Sequence, residues 1–293
     1  MVKYVKPDDQ GRPVFDRNSL IHDVYHVVRA MDNVIDRTIY PLPQQEQEAK
    51  NKRRMGLGVT GMANALEALG FSYGSPDYLY QQSLILSDIN TNCYYASAWL
   101  AEEKGSFPEF DRDLYLDGNF VKTLPDSARR NIEQYGMRNS HLTSIAPTGT
   151  ISLTADNVSS GIEPPYLLYY DRTIQTFDGP RVERVEDYAY REWDVKGRTA
   201  TEATAQEHVK VLASAQKHID SAVSKTCNVG DGVTFDEFKK LYTDGWEQGC
   251  KGLTTFRASG KRFGILNAPK EQEEAKAEAC TFDPATGIRT CEI

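Results

Sequence analysis

The sequence predicts an α/β fold, and three observations lead to that class. Amphipathic stretches with helical spacing alternate with short runs of strand-forming residues along most of the chain. The 293 residues, 40% of them hydrophobic and 26% charged, can bury a sizeable core. No window approaches the roughly 18 consecutive apolar residues of a membrane span. Length alone permits one large domain or two smaller ones, at about 100–200 residues each.

Four helices are predicted in the first half of the chain. Apolar residues at helical spacing place the first over Ser19–Arg37, and Pro41 and Pro43 end it. The others are Val59–Leu69, closed by Gly70; a long helix that starts at Ser75-Pro76-Asp77 and runs toward Gly105; and Ser127–Tyr135.

The second half is predicted to mix strands with helices. The predicted strands are Leu142–Ile145, Tyr166–Phe177, Leu253–Phe256 and Phe263–Leu266. One helix is predicted over Ala205–Lys225. Another opens at Thr234 and ends near Gly249, because the Thr234 hydroxyl and the Glu237 carboxylate can satisfy each other's free amides in a capping box.

The charge balance narrows the classes of partner. There are 34 Lys and Arg against 42 Asp and Glu, a formal charge of −8, which argues against general nucleic-acid or anionic-membrane binding. A local anion site stays compatible with this balance, because backbone amides can form one without net positive charge. The first residues, Met1–Pro7, lack the apolar core of a signal peptide, which favours a cytoplasmic protein.

The cysteines predict a reducing compartment and a distinct tail. Five cysteines without a C-x-x-C pair disfavour a zinc site or a disulfide scaffold. Two of them, Cys280 and Cys291, fall in the last fourteen residues. The segment Lys270–Ala279 holds four Glu, two Lys and no large apolar residue, so it cannot join a core. We therefore expect residues 1–267 to fold and residues 268–293 to form a mobile tail.

A glycine-rich run, Gly56–Gly61, matches the G-x-G-x-x-G pattern of dinucleotide sites. That pattern needs a buried strand directly before it, and Asn51–Arg54 is polar and basic instead. We therefore favour a tight turn for helix packing over a nucleotide site.

Two histidines, His22 and His26, lie four residues apart, which places them on one face of the first helix. This is the spacing of a zinc-protease pair, with Asp23 where such enzymes carry Glu. Because no third ligand is evident nearby, a surface pair of histidines is favoured over a metal site.

The most informative motif is a strand that runs into a turn and a helix start. Its candidate phosphate-binding residues are Ala146, Pro147, Thr148, Gly149, Thr150, Ile151 and Ser152. Pro147 fixes φ, Gly149 removes side-chain bulk, and amides at a helix start attract a phosphate. Hydroxyl groups at this position are also typical of ordinary helix capping. The pattern alone leaves both interpretations open.

Several motifs, in order along the chain, resemble the catalytic large chain of ribonucleotide reductases. They are Arg53–Gly61, Glu103–Pro108, Arg138–Leu153, Ser159–Pro164, Asp187–Arg191 and Ser224–Val229. The resemblance extends to about Leu266. Together these motifs are far more specific than any one of them.

The resemblance implies a fold and a chemistry. In that family a ten-stranded α/β barrel encloses a loop with a thiyl-radical cysteine, and residues 1–267 would form the second half of such a barrel. The radical takes the 3′ hydrogen of a ribonucleotide substrate, water leaves from C2′, and a cysteine pair supplies the electrons. The turn after Ala146-Pro147 would hold the substrate phosphates, and Gly56–Gly61 would belong to the scaffold.

The resemblance also implies a partner. The family's radical cysteine lies in an Asn-x-Cys-x-Glu loop, and that triplet does not occur in this sequence. We therefore expect an N-terminal reductase chain to carry the radical cysteine, and we expect the present chain to be inactive alone.

The cofactor is predicted from the last part of the chain that the resemblance covers. Oxygen-dependent members relay a radical from a small subunit through adjacent tyrosines, and the corresponding stretch Gly249–Arg257 has no tyrosine pair. The chain is thus similar to the adenosylcobalamin-dependent class, in which cobalt–carbon cleavage generates the radical. The pair Tyr169-Tyr170 is predicted to pack in a strand.

Reductases of this type use a mobile C-terminal cysteine pair to reduce the active-site disulfide and to accept electrons from thioredoxin or a glutaredoxin-like protein. Cys280 and Cys291 would be that redox shuttle, with Asp283–Gly287 as the turn between them. Their spacing is wider than the family's usual close pair, and the alternative is two incidental exposed thiols. The 13 steps from Asn267 to Cys280 allow about 40 Å of reach. Two alternatives stay open: a fragment of an oxygen-dependent reductase, and a non-catalytic binding or regulatory module that retains half of the barrel.

Overall fold

The structure is a computed structural model that describes residues 1–177, 179–230, 232–257, 280–283 and 288–291. For residues 173–176, 180, 280–283 and 288–291 only the backbone is described. Helices and short strands alternate along these ranges, which confirms the predicted α/β content. Within them the strands pair only in twos. The predicted strand Phe263–Leu266 and the segment Lys270–Ala279 lie outside the described residues.

Ten α-helices are present in the described ranges. They are α1 (Arg17–Arg37), α2 (Pro43–Lys52), α3 (Met62–Ala68), α4 (Pro76–Lys104), α5 (Arg112–Asp117), α6 (Asp126–Tyr135), α7 (Gly149–Thr154), α8 (Tyr188–Trp193), α9 (Ala205–Gln216) and α10 (Phe235–Glu247). No helix among these residues is both long and apolar enough to cross a lipid bilayer.

The described strands form three antiparallel hairpins and one parallel pair. The strands are β1 (Val5–Pro7), β2 (Pro13–Phe15), β3 (Tyr169–Thr176), β4 (Gly179–Glu186), β5 (Thr226–Asn228), β6 (Thr254–Phe256), β7 (Cys280–Asp283) and β8 (Ile288–Cys291). The hairpins are β1–β2, β3–β4 and β7–β8, and the parallel pair β5–β6 places Thr226 beside Thr254.

The core is centred on α1 and α4. The helix α4 begins and ends where local signals predict, whereas α1 begins at Arg17, two residues before the predicted Ser19. The Ser75 hydroxyl accepts a hydrogen bond from the Tyr78 amide at the start of α4, and Gly105 follows its last residue. On α1 the residues Leu20, Val24, Val28 and Ile35 are buried, so one stripe of the helix faces the core.

The helix α9 ends at Gln216, nine residues before the predicted end at Lys225. Its following residues are used for pairing with another segment: the Ser221 amide donates to the Thr143 carbonyl, and the Ser224 amide donates to the Ile145 carbonyl. Ile145 and Val223 form a parallel bridge. The predicted strand Leu142–Ile145 is therefore present only as isolated bridges. The residues that pair with it belong to the last part of the predicted helix, which is not helical.

The glycine run packs closely against the same segment. Leu57 forms a parallel bridge with Thr143, and a Cβ atom placed on Gly58 would lie 2.5 Å from the Ser144 carbonyl oxygen. Gly61 has a φ of 70° and directly precedes α3. The run follows a helix, α2, rather than a strand. The structure thus confirms a packing turn that lets two backbone segments approach.

A buried cluster of charged side chains joins α1 to the residues that precede the glycine run and the Leu142–Ile145 segment. Asp32 is fully buried, and its Oδ1 accepts hydrogen bonds from Arg53 at 2.7 Å and from the Asn139 side chain at 3.1 Å. Arg138 and Lys104 approach the same carboxylate at 3.3 Å. The cluster fixes Arg53 and Asn139, which flank the glycine run and the Leu142–Ile145 segment.

Candidate functional site

The seven predicted phosphate-loop residues lie directly after Ile145 and enter α7. Ala146, Pro147, Gly149, Thr150 and Ile151 are exposed, Thr148 is half-buried and Ser152 is buried. The structure thus places a solvent-facing loop at the end of a segment that pairs in parallel with its neighbours. In α/β folds, ligands bind at such carboxyl ends of strands.

Thr148 takes a left-handed conformation, with φ 53° and ψ 15°, and makes no side-chain capping bond to α7. Its Oγ1 instead accepts a hydrogen bond of 2.8 Å from the Gly161 amide. Ordinary capping therefore does not explain the hydroxyl at this position. The threonine ties the loop to the segment Ser159–Ile162.

The first amides of α7 have no acceptor within the part of the chain that the structure describes. The amides at the start of a helix lack intrahelical partners, and among the described residues no acceptor meets those of Gly149, Thr150 and Ile151. These residues are exposed, so the amides face solvent rather than the core. An anion such as a phosphate would satisfy them.

The rear of the loop is fixed by buried polar contacts. Ser152 Oγ donates to the Gly149 carbonyl and lies 3.2 Å from Ser160 Oγ. Gly161 has a φ of 54°, and a Cβ atom there would lie 3.0 Å from the Ala146 carbonyl oxygen. Glycine is therefore required where the two segments cross.

A buried amide–carboxylate pair holds the Ser159–Ile162 segment. Asn64 Oδ1 accepts from the Ser159 amide at 2.6 Å, and its Nδ2 donates to Asp187 at 2.8 Å. Burial raises the pKa of Asp187 although hydrogen bonds from Asn64 and from the start of α8 oppose the rise. The motif Asp187–Arg191 is thus an anchor for the segment behind the loop.

The strands β5 and β6 are joined to the segment behind the loop and border a separate cavity. Glu163 Oε1 accepts a 2.6 Å hydrogen bond from the Thr226 amide, which joins the Ser159–Pro164 motif to β5. Phe256 lies beside Asn228 in the parallel register. A cavity of about 440 Å³ opens between the ends of these strands and the start of α9, and none of the residues Ala146–Ser152 lines it.

Sequence reasoning missed a buried lysine beside the site. Lys225 is 2% exposed, and its Nζ lies 2.6 Å from His208 Nδ1 and donates to the Thr226 carbonyl at 2.9 Å. Burial lowers the pKa of Lys225 to about 8, and burial together with the Lys225 charge lowers the pKa of His208 to about 3. The only sequence signal was a lysine between the apolar Val223 and Cys227.

This burial makes stability depend on pH. An unfolded chain holds the Lys225 proton up to pH 10.5 and the folded chain only up to about 8, so unfolding takes up a proton between these values. In the unsubstituted chain the free energy of unfolding should therefore rise by about 1 kcal/mol per pH unit between pH 8 and 9.5. We expect this rise to be absent in Lys225→Met.

Urea denaturation at pH 7.5, 8.5 and 9.5 measures this difference. Lys210→Met, at an exposed position on α9, serves as the control. The difference between its free energy of unfolding and that of the unsubstituted chain should stay constant over this pH range. A constant difference for Lys225→Met as well would contradict the assignment.

The cysteines fall into two groups. Cys93 and Cys227 are buried and Cys250 is half-buried, and all three are free thiols. Burial raises the pKa of Cys227 to about 11, so this thiol is not a reactive thiolate. Cys280 and Cys291 are directly opposite each other in the β7–β8 register. Opposite residues of an antiparallel pair have Cα atoms about 4.5–5.5 Å apart, which is within the range of disulfides.

The tyrosine pair Tyr169-Tyr170 lies in β3, as predicted. The Tyr169 ring stacks on Tyr190 with centroids 6.1 Å apart, and Tyr170 is 7% exposed. Both tyrosines therefore pack between the β3–β4 hairpin and its neighbours.

Comparison with known proteins gives a consistent result. A model of the family described as ribonucleotide reductase, barrel domain, matches residues 1–256. Two relatives named vitamin B12-dependent ribonucleoside-diphosphate reductase come from Mycobacterium tuberculosis H37Rv and Thermoplasma acidophilum. They are 32% and 30% identical over 97% and 95% of this chain, and the matches cover 41% and 40% of the relatives. A ribonucleoside-diphosphate reductase subunit alpha from Treponema pallidum is 28% identical over 85% of this chain and 30% of its own length.

The chain spans about two fifths of the length of the first two relatives. The family match covers the Ala146–Ser152 loop, the Asp187 anchor and both β5 and β6. The chain therefore belongs to the ribonucleotide reductase barrel-domain family.

Proposed function

We propose that this chain forms part of a ribonucleotide reductase that converts ribonucleotides to deoxyribonucleotides. In this proposal residues 1–267 supply half of a ten-stranded α/β barrel and the loop that binds substrate phosphates. The observation that carries it is the Ala146–Ser152 loop, whose exposed amides have no protein acceptor among the described residues. The names of the vitamin B12-dependent relatives support the reaction.

The chain's own residues bind and orient the substrate. The amides of Gly149, Thr150 and Ile151 would hold the phosphates, and the Thr148–Gly161 bond would fix the loop around them. The sequence contains no Asn-x-Cys-x-Glu triplet, so the radical cysteine would come from an N-terminal partner chain. A nucleotide held by its phosphates would then present its ribose to that cysteine.

Adenosylcobalamin, when bound, would supply the radical by homolysis of its cobalt–carbon bond. The family resemblance and the relatives' names support this cofactor, and the stretch Gly249–Arg257 has no tyrosine pair of the kind that oxygen-dependent members use. A cavity of about 440 Å³ suits a drug-sized ligand and is too small for a corrin. The described residues therefore do not by themselves make a cobalamin site.

Reconstitution tests the activity. We expect ribonucleotide reduction when the chain is combined with a segment that carries an Asn-x-Cys-x-Glu loop, adenosylcobalamin and dithiothreitol. Activity that requires a diiron small subunit and ignores adenosylcobalamin would support the oxygen-dependent alternative. Nucleotide binding without turnover under either condition would support a non-catalytic module.

Gly149→Asp tests the phosphate loop. A Cβ atom on Gly149 meets nothing within 4 Å, so the substitution adds a carboxylate without a steric clash. Because like charges repel at the helix start, we expect binding of a ribonucleoside diphosphate to weaken by about tenfold.

Gly149→Asn is the matched control, since it has nearly the same shape and no charge. Its affinity should stay within about threefold of the unsubstituted chain, a factor worth less than 1 kcal/mol. Isothermal titration calorimetry of the chain and KM in the reconstituted enzyme both measure the effect. Equal affinities for the two variants would place the phosphates elsewhere.

We propose further that Cys280 and Cys291 form the redox shuttle that passes electrons from thioredoxin or a glutaredoxin-like protein to the active site. Their opposite positions in the β7–β8 register support a reversible disulfide between them. The thiol–disulfide exchange would transfer two electrons and leave this pair oxidised for re-reduction by the partner protein.

Cys280→Ser and Cys291→Ser separate this role from catalysis. Each variant should lose at least about tenfold in thioredoxin-driven turnover, because a lone thiol cannot complete the exchange, and should keep dithiothreitol-driven turnover. Cys250→Ser, a half-buried thiol outside the pair, should keep both. Full thioredoxin-driven turnover in both tail variants would rule out the shuttle.

A further inference from the structure

The exposed face of α1 carries two histidines whose ring nitrogens converge. His22 and His26 are one helical turn apart, and their Nε2 atoms are 3.2 Å apart. The ring centroids are 4.5 Å apart, with the rings nearly perpendicular. Two imidazole nitrogens that bind one tetrahedral zinc ion at about 2.1 Å lie about 3.4 Å apart. The two rings are therefore already spaced to chelate a single ion.

A carboxylate lies next to one of these rings. Asp23 Oδ1 lies 3.7 Å from His22 Nδ1, while the other oxygen of Asp23 accepts from Lys3 at 2.6 Å and from Tyr4 at 2.9 Å. The 3.7 Å separation is too long for a direct hydrogen bond, so Asp23 adds negative charge beside the ring without occupying its nitrogen.

The helix beneath the pair packs against the core, and two flanking arginines are paired with carboxylates. The opposite face of α1 is buried against the core through Leu20, Val24 and Val28. Arg17 pairs with Asp88 and Arg29 pairs with Glu103, so both arginines that flank the histidines are neutralised by α4. An incoming cation therefore meets a fixed pair of donors without unpaired positive charge from these arginines.

We propose that His22 and His26 chelate one divalent transition-metal ion of the Zn²⁺, Ni²⁺ or Cu²⁺ type, with solvent in the remaining positions. Imidazole suits these ions rather than Mg²⁺ or Ca²⁺. No third His, Cys, Asp or Glu of the described residues completes a three-ligand cluster. The site is separate from the proposed reductase function.

Calorimetric titration with Ni²⁺ and Zn²⁺ tests this site in a chain with Cys280→Ser and Cys291→Ser, so that tail thiols cannot compete. We expect one ion per chain, and at least about a tenfold loss of affinity for either His22→Ala or His26→Ala, because a chelate needs both donors. Both side chains are exposed, so neither variant should alter folding.

A spacing control distinguishes a chelate from two separate histidines. His26→Ala combined with Val27→His keeps two surface histidines and moves the second one off the shared face. It should bind as weakly as the single variants. Cu²⁺ should bind more tightly than Ni²⁺ or Zn²⁺, and its electron paramagnetic resonance spectrum should show two nitrogen ligands. Unchanged affinity in the spacing control, or in either single variant, would overturn the proposal.

Discussion

Asp32→Asn is expected to lower the free energy of unfolding by about 3–5 kcal/mol, the usual cost of breaking a buried ion pair from one side. Asp32 is fully buried, and its Oδ1 accepts from both Arg53 Nε and Arg53 Nη2. Asparagine has nearly the same volume, so the cost arises from the Arg53 charge, which is left buried with a weaker acceptor. The substitution creates no cavity.

Urea denaturation at pH 7 measures the effect, and Asp36→Asn is the control. Asp36 accepts from the same guanidinium at 2.8 Å, but its side chain is 43% exposed. Solvent screens that pair, so its loss should cost less than about 1 kcal/mol. Equal losses for the two variants would mean that burial does not set the strength of this cluster.

The same pair predicts an acid dependence. Burial tends to raise the pKa of Asp32, but the hydrogen bonds and charge of Arg53 outweigh it and hold this pKa below its ordinary value. A carboxyl group with a lowered folded-state pKa contributes stability above about pH 4, and that contribution is lost as the pH falls further. Asp32→Asn should therefore flatten this part of the acid transition.

Local sequence signals predicted the elements whose ends are determined by neighbouring residues. Ser75 and Gly105 enclose α4, and the capping box of Thr234 and Glu237 opens α10 as predicted. The signals failed where a distant segment competes for the backbone. Gln216 ends α9 because residues 220–224 pair with Leu142–Ile145, about 80 residues away, and helical periodicity contains no information about that partner.

The candidate site shows the same division. Strand, turn and helix start were predicted from Ser144–Ser152, but the sequence left open whether the Thr148 hydroxyl caps the helix. Its partner is the Gly161 amide, thirteen residues later. Lys225 and His208, and likewise Arg53 and Asp32, are far apart in sequence and meet only through tertiary packing. Pairs of this kind cannot be recognised from one sequence, because each residue alone looks like an ordinary surface charge.

Gly58→Ala is expected to destabilise the chain by about 3 kcal/mol, the upper end for overpacking a core. The added Cβ would lie 2.5 Å from the Ser144 carbonyl oxygen and 3.5 Å from the Ile145 Cα. A backbone oxygen cannot rotate away, so the Leu57–Thr143 bridge must open or Ser144 must shift. Thermal and urea denaturation measure the loss.

Gly56→Ala is the matched control, because its Cβ would meet the Ser144 hydroxyl, a side chain that can change rotamer. It should cost about 1 kcal/mol or less. Because Ser144 and Ile145 lead directly into the Ala146–Ser152 loop, a shift in Gly58→Ala should also weaken nucleotide binding, whereas Gly56→Ala should not. Equal stability of the two alanine variants would show that the glycines do not determine how closely these segments approach. Loss of stability without loss of nucleotide affinity in Gly58→Ala would show that the glycine run does not influence the Ala146–Ser152 loop.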